Sequence, residues 1–253
     1  MKAIILCASR GERLKPLTDS IPKPMVPINK IPLLEYTLLL CKKHGIKDIV
    51  INTSYLSKKI TEYFGDGSKF GVRINYSFEE ELLGTSGALN NFRGFFDSDK
   101  PFFVIYGDNI TDIDMIKMLK YHKEKKAFAT LFLHKQEDVD KNTTPGIVVF
   151  DANNKITKII EKPNEEEKKL LKKTPKNQKL SNSGIYILNP KILDFISEGH
   201  SDFATNIFPK LIKRGFDFYA YTGKCYFKEL GQQKRYNKAK EEIESGKIKL
   251  NIF

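Results

Sequence analysis

Residues 2–8, Lys-Ala-Ile-Ile-Leu-Cys-Ala, form an apolar run with no polar alternation, which predicts a strand covered on both faces. The stretch 9–30 breaks that pattern. It holds Gly11 and the prolines Pro16, Pro22, Pro24 and Pro27, so no ordinary helix fits, and a loop of that length has a function. Helical periodicity begins at 32–44, where Leu33, Tyr36, Thr37 and Leu40 share a face and His44-Gly45 closes the helix. Residues 46–52 read as a second apolar strand. Residues 55–64 read as a helix stopped by Gly65-Asp66-Gly67, and 72–77 as a strand. A helix opens at 84–91, and the strand 102–106 ends at Gly107-Asp108.

The second half is less regular. Residues 128–134, 146–150, 156–161 and 183–188 read as strands, and 192–196, 205–213 and 232–245 as helices. Strand alternating with helix implies an α/β protein with a mostly parallel, mixed central sheet flanked by helices. In such sheets ligands bind beyond the carboxyl ends of the strands, where the loops after residues 8 and 106 lie. The sequence shows no internal repeat and no linker, so we expect one domain over 1–253.

Charge narrows the classes of partner. There are 43 Lys and Arg against 31 Asp and Glu, a formal excess of +12 that favours anions: nucleic acid, anionic membrane or free nucleotides. The excess is spread along the chain, and its densest part, 168–179, adjoins Glu165–Glu167 and reads as a solvated face. The aromatic-basic interleaving of an RNA platform is missing, as is any docking motif for DNA, so no nucleic-acid partner is expected. No apolar stretch approaches the ~20 residues a membrane span needs. Cys7, Cys41 and Cys225 are scattered and odd in number, which suits buried thiols in a reducing compartment. The expectation is a cytoplasmic protein without a membrane partner.

The chemistry concentrates after the first strand. Leu6-Cys7-Ala8-Ser9-Arg10-Gly11-Glu12-Arg13-Leu14-Lys15-Pro16-Leu17-Thr18 is followed by Pro22-Lys23-Pro24-Met25. Small residues after a buried strand let backbone N–H groups reach phosphate oxygens. Arg13 adds a planar fork, and Lys23 a point charge between stiffening prolines. Singly these cations read as surface residues; together they point to phosphate. Neither the Gly-Lys-Ser/Thr of a Walker A loop nor a Gly-x-Gly-x-x-Gly fingerprint is present. Asp108, at the end of an apolar strand, reads either as a turn residue before Asn109 or as a hard oxygen ligand for Mg2+. His44, His122, His134 and His200 lack metal-ligand spacing.

With those residues in view, the chain resembles the sugar-1-phosphate nucleotidylyltransferases. Their signature reads Leu-Ala-Ala-Gly-x-Gly-Thr-Arg-Leu-x-Pro-Leu-Thr, then Pro-Lys-Pro-Met. Further matches are 79–89 (Glu-Glu-Glu-Leu-Leu-Gly-Thr-Ser-Gly-Ala-Leu), Tyr106-Gly107-Asp108-Asn109, Glu161-Lys162-Pro163 and Asn182-Ser183-Gly184-Ile185-Tyr186. The resemblance implies a Rossmann-like nucleotidyltransferase fold, Mg2+, and in-line attack on the α-phosphorus of a triphosphate. The nucleophile would be a phosphate monoester, ionised near neutral pH, so positioning and positive charge replace a general base.

By the same resemblance, residues 1–125 form the nucleotide-binding half and 126–253 the acceptor-binding half. Arg13 would hold the leaving pyrophosphate, Lys23 would neutralise the reacting phosphates, and Lys162 would hold the acceptor phosphate. Leu6, Ala8, Ser9, Arg10, Gly11, Glu79, Gly84, Thr85 and Gly87 would surround the nucleotide, with Thr85 or Ser86 also suited to cap the helix. Gly146, Glu161, Asn182 and Asp202 would meet the acceptor. Asp108 and Glu229 would hold the metal. The family's Trp-x-Asp-x-Gly-Thr is here Phe227-Lys228-Glu229-Leu230-Gly231-Gln232, so Glu229 stands for Asp. Ser9 replaces a family glycine, and Cys7 an alanine.

The stretches 138–145 and 164–179 do not look like the usual sugar-binding segments. Among compact members the chain is most similar to capsule-pathway cytidylyltransferases acting on phosphoglutamine, which implies CTP and a non-sugar acceptor. The alternatives are a sugar-1-phosphate guanylyl- or cytidylyltransferase and a nucleotide-binding regulator without turnover. The sequence leaves the oligomeric state open.

Overall fold

The computed structural model describes residues 1–135 and 146–252; the segment 138–145 singled out above lies outside the described residues. In chain order the elements begin with β1 (Lys2–Leu6), the two-residue strands β2 (Pro27–Ile28) and β3 (Ile31–Pro32), α1 (Leu33–Lys43) and β4 (Asp48–Thr53). Then come α2 (Ser57–Phe64), β5 (Arg73–Phe78), the single turn α3 (Gly84–Gly87), β6 (Phe102–Tyr106), β7 (Asn109–Thr111) and α4 (Met115–Glu124). The second half holds β8 (Ala129–His134), β9 (Ile147–Phe150), β10 (Ile156–Ile160), α5 (Glu165–Lys173), β11 (Lys179–Leu188), α6 (Phe208–Lys213), β12 (Phe218–Tyr221), β13 (Phe227–Glu229) and α7 (Gln233–Glu244).

One nine-stranded sheet takes strands from both halves in the order β10-β9-β11-β6-β1-β4-β5, with β8 and β12 branching from β11. The first-half strands β6, β1, β4 and β5 run parallel. β11 is antiparallel to β6, β8 and β9 and joins the halves. The fold is thus the Rossmann-like α/β arrangement expected. The unbroken apolar run of β1 has a direct cause: Ala3 and Ile5 face one core, packed with Leu34 and Leu38 of α1, while Ile4 faces a second with Val104 and Phe208.

Two helices went unread in the sequence. α4 is capped by Asp114, whose side chain accepts from the Lys117 N–H at 2.9 Å. α5 lies in the Lys-rich stretch 164–179 and opens with a reciprocal cap: Asn164 Oδ1 accepts from Glu167 N, and Glu167 accepts from Asn164 N. The proline-rich loop is ordered into three short 3-10 turns at 12–14, 17–19 and 23–25. Among the described residues, no helix is long and apolar enough to cross a membrane.

Candidate active site

A cavity of about 460 Å³ opens beyond the carboxyl ends of β1 and β6. It gathers most of the residues singled out from the sequence: Leu6, Ala8, Ser9, Arg13 and Lys23 from the first loop, Glu79, Gly84 and Thr85 from the stretch after β5, and Asp108 after β6. From the second half come Gly146, Glu161, Asn182 and Glu229. These positions are far apart in sequence, and the sheet brings them together because parallel strands deliver their following loops to one edge.

Lys23 is buried, and its ammonium donates to Asp108 Oδ2. The two side chains are 6% and 22% exposed, so each charge is neutralised by the other where water is scarce. The turn that carries Lys23 is held by the Val26 N–H donating to the Lys23 carbonyl at 3.1 Å. Glu229 lies on β13 opposite Asn109, and the Leu230 N–H donates to the Asp108 carbonyl at 2.9 Å, so the two carboxylates stand on adjacent backbones. Glu229 is ion-paired with Arg235 of α7. Among the described residues no cluster of three or more His, Cys, Asp or Glu forms a cage. Two hard carboxylate donors beside the loop that carries Arg13 and Lys23 nonetheless fit Mg2+, which takes one or two carboxylates and fills its shell with phosphates and water.

Several sequence expectations change here. Glu79 was expected to stand near the nucleotide. It is buried, accepts from Asn52 Nδ2 at 2.8 Å and from Leu83 N at 3.0 Å, and so ties together the ends of β4 and β5. Asn52 also accepts from the Cys7 N–H at 2.8 Å. This missed residue has a signal in the sequence: one amide at the end of the apolar run Ile49-Val50-Ile51. Thr85 and Ser86 do not cap α3. Asp202 does so from across the chain, accepting from both Thr85 N and Thr85 Oγ1 at 2.8 Å, so its carboxylate is a structural cap beside the cavity. Gly87 is buried against Gly199 and lies outside the cavity wall.

Gly84 has φ +75, and a Cβ there would come within 2.5 Å of the Ser201 carbonyl, so the glycine allows this docking. At Gly146 a Cβ would lie 2.0 Å from the Glu161 carboxylate, so the missing side chain makes room for that acid. Burial first, and then nearby Asp202, raise the Glu161 carboxyl above its ordinary range, while Lys162 pulls it down. Lys162 itself is exposed, with φ 48, and lies outside the cavity wall; Arg10 and Gly11 also lie outside it, on the first loop.

Tyr106, Tyr186 and Gln232 stand inside motifs matched in the sequence but were given no role, His134 was read as an isolated histidine, and Arg235 carried no signal. Asn182 Nδ2 donates to the Tyr186 hydroxyl at 2.9 Å, and that hydroxyl to Tyr106 at 3.3 Å. Burial pushes Tyr106 up to about 12, so this chain of phenols stays neutral. Burial lowers His134 to about 4, so its ring is neutral as well. The Cys7 thiol is raised far above its usual range by burial, and Cys41 to about 12, which makes both inert.

The sequence pattern described as "Nucleotidyl transferase" matches residues 2–246. The chain belongs to the nucleotidyl transferase family. Within that family it is 37% identical to a UTP–glucose-1-phosphate uridylyltransferase of Synechocystis sp., over 98% of this chain and 65% of that protein. It is 32% identical to a mannose-1-phosphate guanyltransferase of Yarrowia lipolytica, over 92% of this chain and 61% of that protein. The chain therefore spans somewhat under two thirds of the length of these relatives. Among solved structures, HddC from Yersinia pseudotuberculosis complexed with GMP-PN superposes with TM-score 0.76 and 26% identity, covering 96% of this chain and 99% of that one. A UDP-glucose pyrophosphorylase, at TM-score 0.80 and 20% identity over 97% and 98% of the two chains, shares the fold.

Proposed function

We propose that the protein transfers a nucleotidyl group from a nucleoside triphosphate to a sugar 1-phosphate or a similar phosphorylated small molecule, with release of pyrophosphate. The observation that carries this reading is the meeting of Arg13, Lys23, Asp108, Glu161, Asn182 and Glu229 around one cavity at the strand ends. The named relatives, which are uridylyl- and guanylyltransferases, support the same class.

In this reading an acceptor phosphate oxygen forms a bond to the α-phosphorus as the bond to the β-phosphate oxygen breaks. Lys23 neutralises the reacting phosphates, and Arg13 receives the departing pyrophosphate. Asp108 and Glu229 hold Mg2+, which supplies further positive charge to the triphosphate when bound. Lys162 swings from the exposed turn beside Glu161 to the acceptor phosphate. Asn182 and Glu161 orient the acceptor, and Gly146 leaves the room that Glu161 needs. The triphosphate belongs to residues 1–125 and the acceptor to 126–253. The sheet shared by both halves supports treating them as one domain.

The narrower reading, CTP with phosphoglutamine in capsule or surface-polysaccharide assembly, rests on the sequence resemblance. None of the relatives named above is a cytidylyltransferase, so the sugar 1-phosphate takes first place and CTP becomes one arm of the test. Pyrophosphate release is measured with Mg2+, crossing CTP, GTP, UTP, dTTP and ATP with several sugar 1-phosphates and phosphoglutamine. Release with one triphosphate and one acceptor is expected. Tight nucleotide binding with no release across the panel would replace this proposal by a regulator without turnover.

A further inference from the structure

A second cavity of about 810 Å³ adjoins the first and, among the described residues, shares with it only His134, Glu229 and Arg235. Among the described residues its wall carries four lysines (Lys135, Lys224, Lys228 and Lys238) and Arg235, against two carboxylates, Glu229 and Glu242. Glu242 is already engaged, accepting from the Tyr226 hydroxyl at 2.9 Å and lying 3.6 Å from Lys228. The local balance is positive, and the part of the chain's charge excess found here surrounds a concave, partly aromatic space lined by Phe132, Phe150 and Phe227.

The residues at the junction are built to bind. Arg235 has a side chain 16% exposed, and it meets Glu229 through Nη1 alone. Its Nε is buried without a hydrogen-bond partner among the described residues. A guanidinium offers five N–H donors in a planar fork, so donors remain beyond the one used on Glu229 for an incoming carboxylate. His134 stacks on Phe227 with ring centroids 4.2 Å apart, and its Nδ1 is likewise buried without a partner. His134 pairs across the sheet with Ser181, next to Asn182, so the junction lies at the end of the first cavity assigned above to the acceptor. A buried, unpaired donor is costly in a folded protein unless a ligand satisfies it.

Building on the proposed transferase reading, we propose that the acceptor carries a carboxylate in addition to its reacting phosphate, and that Arg235, assisted by His134, binds it at the mouth of the second cavity. An acidic sugar 1-phosphate and a phosphorylated amino acid both present that chemistry. Arg235 is then a specificity-determining residue.

Two matched pairs test this, each differing only in the carboxyl group: glucose 1-phosphate against glucuronic acid 1-phosphate, and phosphoethanolamine against O-phosphoserine. Dissociation constants are measured by calorimetry on the full chain. In at least one pair the carboxylated member should bind tenfold or more tighter. Arg235→Gln should bring the two members within about twofold, the larger loss falling on the carboxylated one. His134→Phe, which keeps the ring stack on Phe227, provides a second variant and should narrow the difference partway. Equal binding within both pairs, no binding by any member, or an equal loss for both members in Arg235→Gln overturns the inference.

Pyrophosphate release separates this result from the parent reading. Release with glucose 1-phosphate and no advantage for either acid leaves the transferase standing and removes the carboxylate site. Tighter binding of an acid through Arg235, with no release from any triphosphate, has the reverse meaning.

Discussion

At the scale of single residues, the site depends on paired charges. Lys23 and Asp108 neutralise one another, so removing either leaves its partner unpaired as well as removing its role. Lys23→Ala and Asp108→Ala should each lower kcat by about 10²–10³ with the circular dichroism spectrum unchanged; a near-normal rate would remove that residue from the chemistry. Glu161 supplies a prediction in stability. Its folded pKa is raised above the ordinary 4.5, so the native state holds the proton more tightly than the unfolded chain does. Stability is therefore greatest below about 4.5 and falls as pH rises through the raised folded value. Glu161→Gln abolishes this titration. Thermal melts should show the variant gaining on the native protein as pH increases from 4 to 8, and parallel curves would count against the raised pKa.

Several residues singled out from the sequence do come together in the structure. Asp108, Lys23 and Glu229 all reach the cavity wall. The sequence reading failed where a partner comes from a distant segment. Thr85 and Asp202 are separated by 117 positions, and no local pattern announces that the aspartate caps the threonine's turn. Arg235 was unmarked for the same reason: on its helix it reads as one more cation, and only the approach of Glu229 and His134 gives it a setting.

At the scale of elements, the short turn α3 depends on being docked. The backbone N–H groups of Ser86 and Gly87 donate to the Ser201 carbonyl at 2.9 and 3.0 Å. Gly84→Ala meets both a positive φ and a carbonyl contact, so it should cost at least about 1–2 kcal/mol and raise the KM for the triphosphate. An unchanged melting temperature would show that the turn can relax. α5 provides the contrast of an element with a local cause. Asn164→Ala removes one half of its reciprocal cap and should cost about 1 kcal/mol in a denaturant melt while leaving turnover unaltered. A loss of activity in that variant would place α5 in the site. The Asn-x-x-Glu signature of this cap is plain in the sequence, yet the surrounding lysines drew the reading toward a solvated stretch. Strands β7, β12 and β13 are short and were not predicted, because three or four residues carry too little periodicity to stand out.

At the scale of the whole molecule, the charge of +12 sets up a long-range field that attracts anions. The apparent second-order rate constant for triphosphate binding, measured by stopped-flow fluorescence between 20 and 500 mM KCl, should fall with salt as screening shortens the reach of that field. A rate indifferent to salt would confine the electrostatics to the buried pairs.

The apolar run of β1, the helix periodicity of α1, the proline-stiffened loop and the order of the motifs needed no coordinates, because each is set by neighbours a few positions away. From them followed the α/β class, the edge of the sheet at which the cavity opens, and the family. Only the tertiary structure decided that Glu79 serves Asn52 and Leu83, that Asp202 is a cap, that Gly146 seats Glu161, and that Arg235 stands between two cavities. Those contacts join segments brought together by the antiparallel β11 and the sheet around it, and a pattern of local spacing contains no record of which distant group will arrive.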